Sequence, residues 1–142
     1  MKQYQPITDT IIEKLKAITG PSYVKTDKDI LVQYQTDYET NPAMFHMPEA
    51  AVIPGSAEEI AAIVKLANEY QFPITVRSGG TSLADGAIPV CGGLVLSMER
   101  LNKIIELNEE GMYMTVEAGV RTVDLQKLAH DHGFLYAGDP SS

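Results

Sequence analysis

The chain has 142 residues, of which 44% are hydrophobic and 21% charged, so it suits one globular domain and is too short for two domains with a cleft between them. Its 11 basic and 19 acidic side chains give a formal net charge of −8. This charge argues against nucleic acid and against an anionic membrane surface as partners, because both require a basic surface. A bound anion must therefore be held by local groups.

Cysteine and histidine content excludes the common metal sites. Cys91 is the single cysteine, so an intrachain disulfide and a zinc site of several thiolates are both excluded. His130 and His132 lie two positions apart on a predicted helix and cannot share a metal ion. No metal site is predicted. The sequence shows no signal peptide and no apolar run of the roughly 20 residues that span a bilayer, so a cytoplasmic protein without a transmembrane segment is expected.

The N-terminal third of the chain predicts helices and then a loop. Thr10 and Glu13 form a candidate capping box at the start of the first helix, and Gly20 ends it. A second short helix is predicted after Thr26, and residues 36–49 predict an extended loop. The apolar faces of the two helices are formed by Ile11, Ile12, Leu15 and Ile18 and by Ile30, Leu31 and Tyr34.

From residue 50 the pattern changes to short apolar strands around one helix. Residues 50–54, 73–76 and 93–97 predict strands. Ser56 and Glu59 predict the start of the intervening helix, whose apolar face is formed by Ile60, Ile63, Val64 and Ala67. A strand–helix–strand unit of this spacing predicts a parallel pair of strands with a right-handed crossover.

The last part of the sequence predicts a hairpin and a helix. Residues 104–107 and 112–118 flank a turn and predict two antiparallel strands. Thr122 is a candidate cap for a final helix that ends near Gly133. The predicted fold class is α+β: a small parallel β-α-β sheet with flanking helices, together with the start of a second, antiparallel sheet.

A glycine-rich stretch, residues 77–86, directly follows the second predicted strand. Glycines allow the backbone to adopt positive φ and to approach a ligand closely, and consecutive N–H groups in such a turn can hold an anion. Ser78, Thr81 and Ser82 could add hydroxyl donors. For Arg77, binding to a phosphate or carboxylate and simple solvation at a strand end are both open. The alternative for the whole stretch is an ordinary surface turn.

Two familiar phosphate-binding motifs are excluded by spacing. A P-loop requires Gly-Lys-Ser/Thr, but no lysine lies between Lys65 and Lys103. The dinucleotide fingerprint requires a helix directly after its glycines, whereas Gly86 and Pro89 interrupt any helix here.

Residues 73–89, PITVRSGGTSLADGAIP, resemble the diphosphate loop of FAD-linked oxidases with a vanillyl-alcohol-oxidase-type (PCMH-type) FAD-binding domain. The nearest resemblance is to the branch that contains the flavin-binding polypeptide of glycolate oxidase and D-lactate dehydrogenase. Residues 48–60, 92–104 and 116–142 resemble three further segments of this family, in the same order and spacing. The resemblance implies an N-terminal helical segment and loop over 1–47, followed over 48–142 by the N-terminal part of the FAD-binding domain.

The resemblance also implies roles for individual residues. Pro54 is expected near the adenine end of FAD, and Asp139, Pro140 and Ser141 beside the ribityl chain and flavin ring. Relatives that bind FAD covalently carry a histidine where Thr81 stands, so non-covalent FAD is implied. The FAD diphosphate is expected against the backbone of Ser78, Gly79, Gly80, Thr81, Ser82, Gly86 and Ala87.

The function implied is the FAD-binding portion of an oxidoreductase that oxidises a small 2-hydroxy acid of the glycolate or D-lactate type. The chain lacks the substrate-binding half of the family, so no catalytic residue is assigned and activity and firm FAD retention are expected to need a C-terminal half or a second subunit. Two alternatives remain: a non-enzymatic module that binds nucleotides or diphosphate, and a truncated domain that associates with itself through uncovered sheet edges.

Overall fold

The computed structural model describes residues 4–38 and 41–138. Within them the chain forms a four-stranded sheet and a two-stranded sheet. The strands are β1 (Val24–Lys25), β2 (Ala50–Val52), β3 (Ile74–Arg77), β4 (Leu94–Ser97), β5 (Ile104–Asn108) and β6 (Tyr113–Val116). The helices are α1 (Asp9–Thr19), α2 (Lys28–Leu31), α3 (Ala57–Tyr70) and α4 (Thr122–Asp131), with 3-10 turns at Pro21–Tyr23, Val32–Tyr34 and Pro42–Met44. The predicted α+β class is confirmed.

The four-stranded sheet has the order β1-β2-β4-β3, with β2, β4 and β3 parallel and β1 antiparallel to β2. Val52 lies beside Leu96, which lies beside Val76. The strands of the predicted strand–helix–strand unit, β2 and β3, are therefore parallel as expected, and β4 lies between them. Every residue of β4 is buried, which suits the centre of the sheet, whereas β3 carries the exposed Val76 and lies at the edge.

The N-terminal segment packs on the same sheet. Ile11 and Leu15 of α1 are buried together with residues of α3 and the strands. The predicted capping box of Thr10 and Glu13 is wrong: Thr8 is the N-cap residue without a side-chain cap, and Glu13 instead pairs with Lys16 at 2.8 Å. Strand β1 was not predicted, because two residues are too few to show a period of two.

The other face of the sheet is covered by α2 and the turn after it. Asp27 caps α2 by accepting a hydrogen bond from the Asp29 N–H at 2.8 Å. Leu31 and Tyr34 pack against the sheet as predicted, but Ile30 is exposed, because α2 has only four residues and passes into a 3-10 turn with a different period. In the described part of the predicted loop over 36–49, residues 42–44 form a short 3-10 turn.

Helix α3 begins as the sequence predicts. The Ser56 hydroxyl oxygen accepts the Glu59 N–H at 3.2 Å, and the Glu59 carboxylate accepts the Gly55 N–H at 2.7 Å. Ile63 is fully buried, whereas Val64, which was predicted for the same face, is 40% exposed. The apolar stripe of α3 is narrower than predicted, because the helix packs on the sheet along one line of residues, with Leu66 and Ala67 completing it.

The C-terminal hairpin is antiparallel as predicted. Leu107 lies beside Met114 and Asn108 beside Tyr113, and a bulge follows Ile104. Helix α4 begins at Thr122, but this threonine does not cap it. The first turn is held instead by an ion pair between the Arg121 guanidinium and the Asp124 carboxylate.

We expect Ile63→Ala to lower the free energy of unfolding by about 3 kcal/mol, because it removes buried methylene groups and leaves a cavity. Val64→Ala, one position further along the same helix, is the control and should cost less than about 1 kcal/mol, because this side chain is half exposed. Urea unfolding followed by circular dichroism measures both changes. Equal losses would contradict this packing of α3 on the sheet.

Candidate functional site

The candidate site lies where three parallel strands end. Because β2, β4 and β3 are in register, the residues that follow them meet at one edge of the sheet. Pro54 follows β2, Glu99 follows β4, and the glycine loop, residues 78–86, follows β3. Parallel sheets commonly bind ligands at this edge, outside the carboxyl ends of the strands.

The backbone of the glycine loop carries free hydrogen-bond donors. Gly80 has φ +67°, a left-handed conformation, and a Cβ at this position would overlap the guanidinium of Arg77. Glycine is therefore favoured at position 80 by the positive φ, and a larger residue would also have to displace the Arg77 guanidinium. Among the described residues, the N–H groups of Gly79, Gly80 and Thr81 have no hydrogen-bond partner, and Gly79 and Thr81 are exposed. These three donors can bind an anion.

The two serines of the loop shape it from within. The Ser78 hydroxyl donates to the Ala118 carbonyl oxygen at 2.7 Å and so ties the loop to the segment before α4. The Ser82 hydroxyl oxygen accepts the N–H groups of Ala84 and Gly86, each at 3.1 Å. Of the three predicted hydroxyl donors, Ser78 thus uses its proton inside the chain, whereas the Ser82 oxygen serves as an acceptor.

Arg77 lies beneath the loop. Its Nη1 donates to the Thr36 carbonyl oxygen at 2.6 Å, and its guanidinium lies 5.9 Å from the centroid of the Tyr34 ring. Burial lowers the pKa of Arg77, and the negative charge of Asp37 opposes that change. The sequence left two roles open for Arg77, anion binding and solvation at a strand end. The structure shows a third, which is contact with residues 34–37 of the same chain.

Tyr34 and Glu99 form a polar pair that the sequence did not reveal. The Tyr34 hydroxyl donates to Glu99 Oε1 at 3.3 Å, and the Ser97 hydroxyl donates to the same oxygen at 2.8 Å. Burial, and then the nearby Glu99 carboxylate, raise the pKa of Tyr34 to about 12. The one available signal was the position of Glu99 just after a buried strand; Tyr34 had been predicted only as part of an apolar helix face.

The corner between β2 and α3 is closely packed. Pro54 is fully buried, and a Cβ on Gly55 would overlap the guanidinium of Arg100. Arg100 donates to the Ile53 carbonyl oxygen at 2.9 Å and stacks on the Tyr23 ring, 3.6 Å from its centroid. Any role of Pro54 in binding is therefore indirect, through the backbone that it fixes.

The remaining predicted site residues fall in two groups. Gly86 is exposed, whereas Ala87 is buried, so Ala87 can offer a ligand its backbone but little of its side chain. Asp139, Pro140 and Ser141 lie outside the described residues.

Within residues 4–38 and 41–138, no three His, Cys, Asp or Glu side chains are grouped to hold a metal ion, and no helix is long and apolar enough to cross a membrane.

A diphosphate fits the donors of this site. Three neighbouring backbone N–H groups, with the left-handed Gly80 between the other two, provide close hydrogen bonding to anionic oxygens without a cationic side chain. The net charge of −8 is compatible with such a site, because backbone dipoles act only over a short distance.

Comparison with known proteins assigns the class. The sequence model of the FAD binding domain family matches residues 48–142, so the chain belongs to this family and its cofactor is FAD. The fold is similar to that of p-cresol methylhydroxylase with substrate bound, with a TM-score of 0.75 and 29% identity over 87% of this chain and 24% of that one. The resemblance to PCMH-type FAD-linked oxidases is confirmed.

Individual relatives are an oxidase subunit and a dehydrogenase of much greater length. Glycolate oxidase subunit GlcD of Bacillus subtilis is 35% identical over 136 residues, which are 96% of this chain and 28% of the relative. D-lactate dehydrogenase of Anaerostipes hadrus is 35% identical over 140 residues, which are 97% of this chain and 29% of the relative. The chain thus spans less than a third of the length of these relatives.

We expect Gly80→Ala to destabilise the chain by at least about 1 kcal/mol, because alanine is strained at positive φ and its Cβ would displace the Arg77 guanidinium. Gly79→Ala is the matched control. The nearest atom to a Cβ there is Thr81 Oγ1 at 3.7 Å, so the change should stay within about 0.5 kcal/mol. Thermal and urea unfolding compare the two variants, and equal stabilities would refute the loop conformation.

Stability should also fall at alkaline pH through Tyr34. The pKa of this phenol is about 12 in the folded chain and 10.0 ordinarily, so the unfolded chain loses the proton first as the pH rises. The stabilising contribution is complete below pH 10 and is lost between pH 10 and about 12. Tyr34→Phe should therefore flatten the decline of unfolding free energy across this range, whereas Tyr4→Phe, at an exposed tyrosine, should not. Parallel curves for Tyr34→Phe and the unaltered chain would contradict the assignment.

Proposed function

We propose that the chain is the FAD-binding portion of an oxidoreductase that oxidises a small 2-hydroxy acid, glycolate or D-lactate in type. The observation that carries the proposal is the set of unbonded N–H groups of Gly79, Gly80 and Thr81 at the carboxyl edge of the parallel strands. The named activities of the relatives, glycolate oxidase and D-lactate dehydrogenase, support the substrate class.

In this proposal the chain binds and orients the cofactor. The backbone from Ser78 to Ser82 holds the diphosphate, and Gly86 and Ala87 continue the same wall. Pro54 fixes the backbone near the adenine, and Asp139, Pro140 and Ser141 contact the ribityl chain and the flavin ring. Thr81 at the covalent-attachment position of the family supports non-covalent binding, and the single cysteine is in keeping with a cytoplasmic location.

FAD, when bound, supplies the two-electron oxidation of the hydroxy acid. The polar side chains near the loop already form hydrogen bonds within the chain. Tyr34 and Ser97 donate to Glu99, and Arg77 donates to the Thr36 carbonyl oxygen. We therefore assign the substrate contacts and the base that accepts the hydroxyl proton to a further polypeptide segment, in the same chain or in a second subunit.

An uncovered apolar pocket supports the need for such a segment. It has a volume of about 540 Å³ and lies between the β5–β6 hairpin and α4, lined by Leu107, Met114, Leu125 and Phe134 among others. Met112 and Leu135 at its border are 78% and 92% exposed. A two-stranded sheet is only marginally stable by itself, so further strands or a second copy would stabilise it.

Titration of the chain with FAD, ADP and FMN, followed by calorimetry, tests the cofactor assignment. FAD should bind more tightly than ADP, because the flavin end adds contacts, and FMN should bind more weakly than either, because it lacks a diphosphate. Equal affinities for FAD and ADP would favour the alternative of a diphosphate-binding module without flavin preference.

The chain alone should not oxidise glycolate or D-lactate in the presence of FAD and an artificial electron acceptor. Turnover should appear when the remaining segment is supplied as a second polypeptide or in a continuous chain. Turnover by residues 1–142 alone would refute the assignment of substrate contacts elsewhere.

Light scattering of the same sample tests the alternative of self-association. A dimer or larger assembly would support this alternative, and a monomer would contradict it.

A further inference from the structure

Two hydrogen bonds join the glycine loop to residues 36–38. Arg77 Nη1 donates to the Thr36 carbonyl oxygen at 2.6 Å, and the Tyr38 N–H donates to the Ser82 carbonyl oxygen at 3.3 Å. The first bond holds the loop where it leaves β3, and the second holds it at its middle residue, Ser82. Residues 36–38 precede the part of the chain that matches the FAD binding domain family.

Arg77 fills the space beneath Gly80. A Cβ on Gly80 would overlap Nη2, Cζ and Nε of the guanidinium, so the flat face of this group lies directly against the glycine backbone. The left-handed turn at Gly80 and the position of the guanidinium therefore depend on each other. A lysine ammonium lacks the planar shape that fills the space beneath Gly80.

A chain of side-chain contacts fixes Arg77 in turn. The Ser97 hydroxyl, at the end of β4, donates to the Glu99 carboxylate, which also accepts the Tyr34 hydroxyl. The Tyr34 ring, 5% exposed, lies beside the guanidinium. The ends of β3 and β4 are thus linked beneath the loop, and the link passes through Tyr34.

We propose that Arg77 is a positioning residue for the FAD diphosphate, which it does not touch: supported by Tyr34 and Thr36, it holds the N–H groups of Gly79, Gly80 and Thr81 in place. Residues 34–38 thereby become part of the cofactor site. This inference rests on the proposed function. It differs from direct pairing of Arg77 with phosphate, because the guanidinium contacts Thr36 and Tyr34 and lies against the underside of Gly80.

FAD affinity distinguishes positioning from direct pairing. Arg77→Met and Arg77→Lys should each raise the FAD Kd about tenfold or more, because both lose the planar support beneath Gly80. Tyr34→Leu should act in the same direction, and its effect should add little to that of Arg77→Met in the double variant, because both break one support. Arg121→Met removes one positive charge from an exposed ion pair and is the control, with an unchanged Kd.

Several outcomes would overturn the proposal. Full affinity in Arg77→Lys, or an unchanged Kd in Tyr34→Leu, would assign Arg77 a direct charge interaction. A lower urea midpoint with an unchanged FAD Kd in Arg77→Met would assign it a structural role alone. Should Arg77→Met fail to fold, Arg77→Lys and Tyr34→Leu carry the same comparison.

Amide NMR signals of the chain without FAD test the positioning independently. Arg77→Met should shift the signals of Gly79, Gly80 and Thr81 together with those of residues 36–38, whereas Arg121→Met should leave both groups unchanged. Unchanged loop signals in Arg77→Met would refute positioning whatever the FAD affinity. Shifted loop signals, together with no FAD binding by the unaltered chain even when the remaining segment is supplied, would refute the proposed function and leave the support of the loop by Arg77 intact.

Discussion

The close packing of the Arg77 guanidinium against the Gly80 backbone is the constraint on which the candidate site depends. The guanidinium occupies the volume that a side chain at position 80 would need, so the left-handed turn and the position of Arg77 together favour glycine there. The turn leaves the N–H groups of Gly79, Gly80 and Thr81 without partners inside the described chain. Unpaired N–H donors at the surface form hydrogen bonds with water or with a ligand, so the loop is suited to bind an anion.

This arrangement explains how a chain with a net charge of −8 can belong to a family that binds a dinucleotide. Arg77, the one cation at the start of the loop, is turned inward to Thr36 and Tyr34, and Glu99 is engaged by two hydroxyl groups. The outer surface of the loop is left to backbone dipoles. Such dipoles bind an anion at hydrogen-bond distance and contribute little to the field further away.

The two sheets differ in how completely they are covered. The four-stranded sheet has α1 and α3 packed on one face and Leu31 and Tyr34 on the other, so its strands β2 and β4 are fully buried. The two-stranded sheet borders an open apolar pocket. This difference agrees with the proposed function. In that proposal the four-stranded sheet holds the cofactor, and the two-stranded sheet packs against the segment that supplies substrate contacts.

Local sequence determined much of this structure. The cap formed by Ser56 and Glu59, the buried strands and the C-terminal hairpin could be predicted, because each depends on neighbours within a few residues. The glycine loop could be located for the same reason, while its role as an anion site and the roles of its individual residues stay predictions. Where prediction failed locally, as with Thr10 and Thr122, the helix begins so that Thr8 or Arg121 is the N-cap residue, and neither forms a side-chain cap.

Only the tertiary structure decided which distant residues meet. The insertion of β4 between β2 and β3 follows from the burial of its side chains in the assembled sheet, and no local pattern encodes that order. Likewise, Thr36 and Arg77 are 41 positions apart and Tyr34 and Glu99 are 65 apart, so their contacts appear only when the strands end at one edge. Residue spacing along the chain determines helices, strands and turns, whereas the support beneath the loop requires the packing of whole elements.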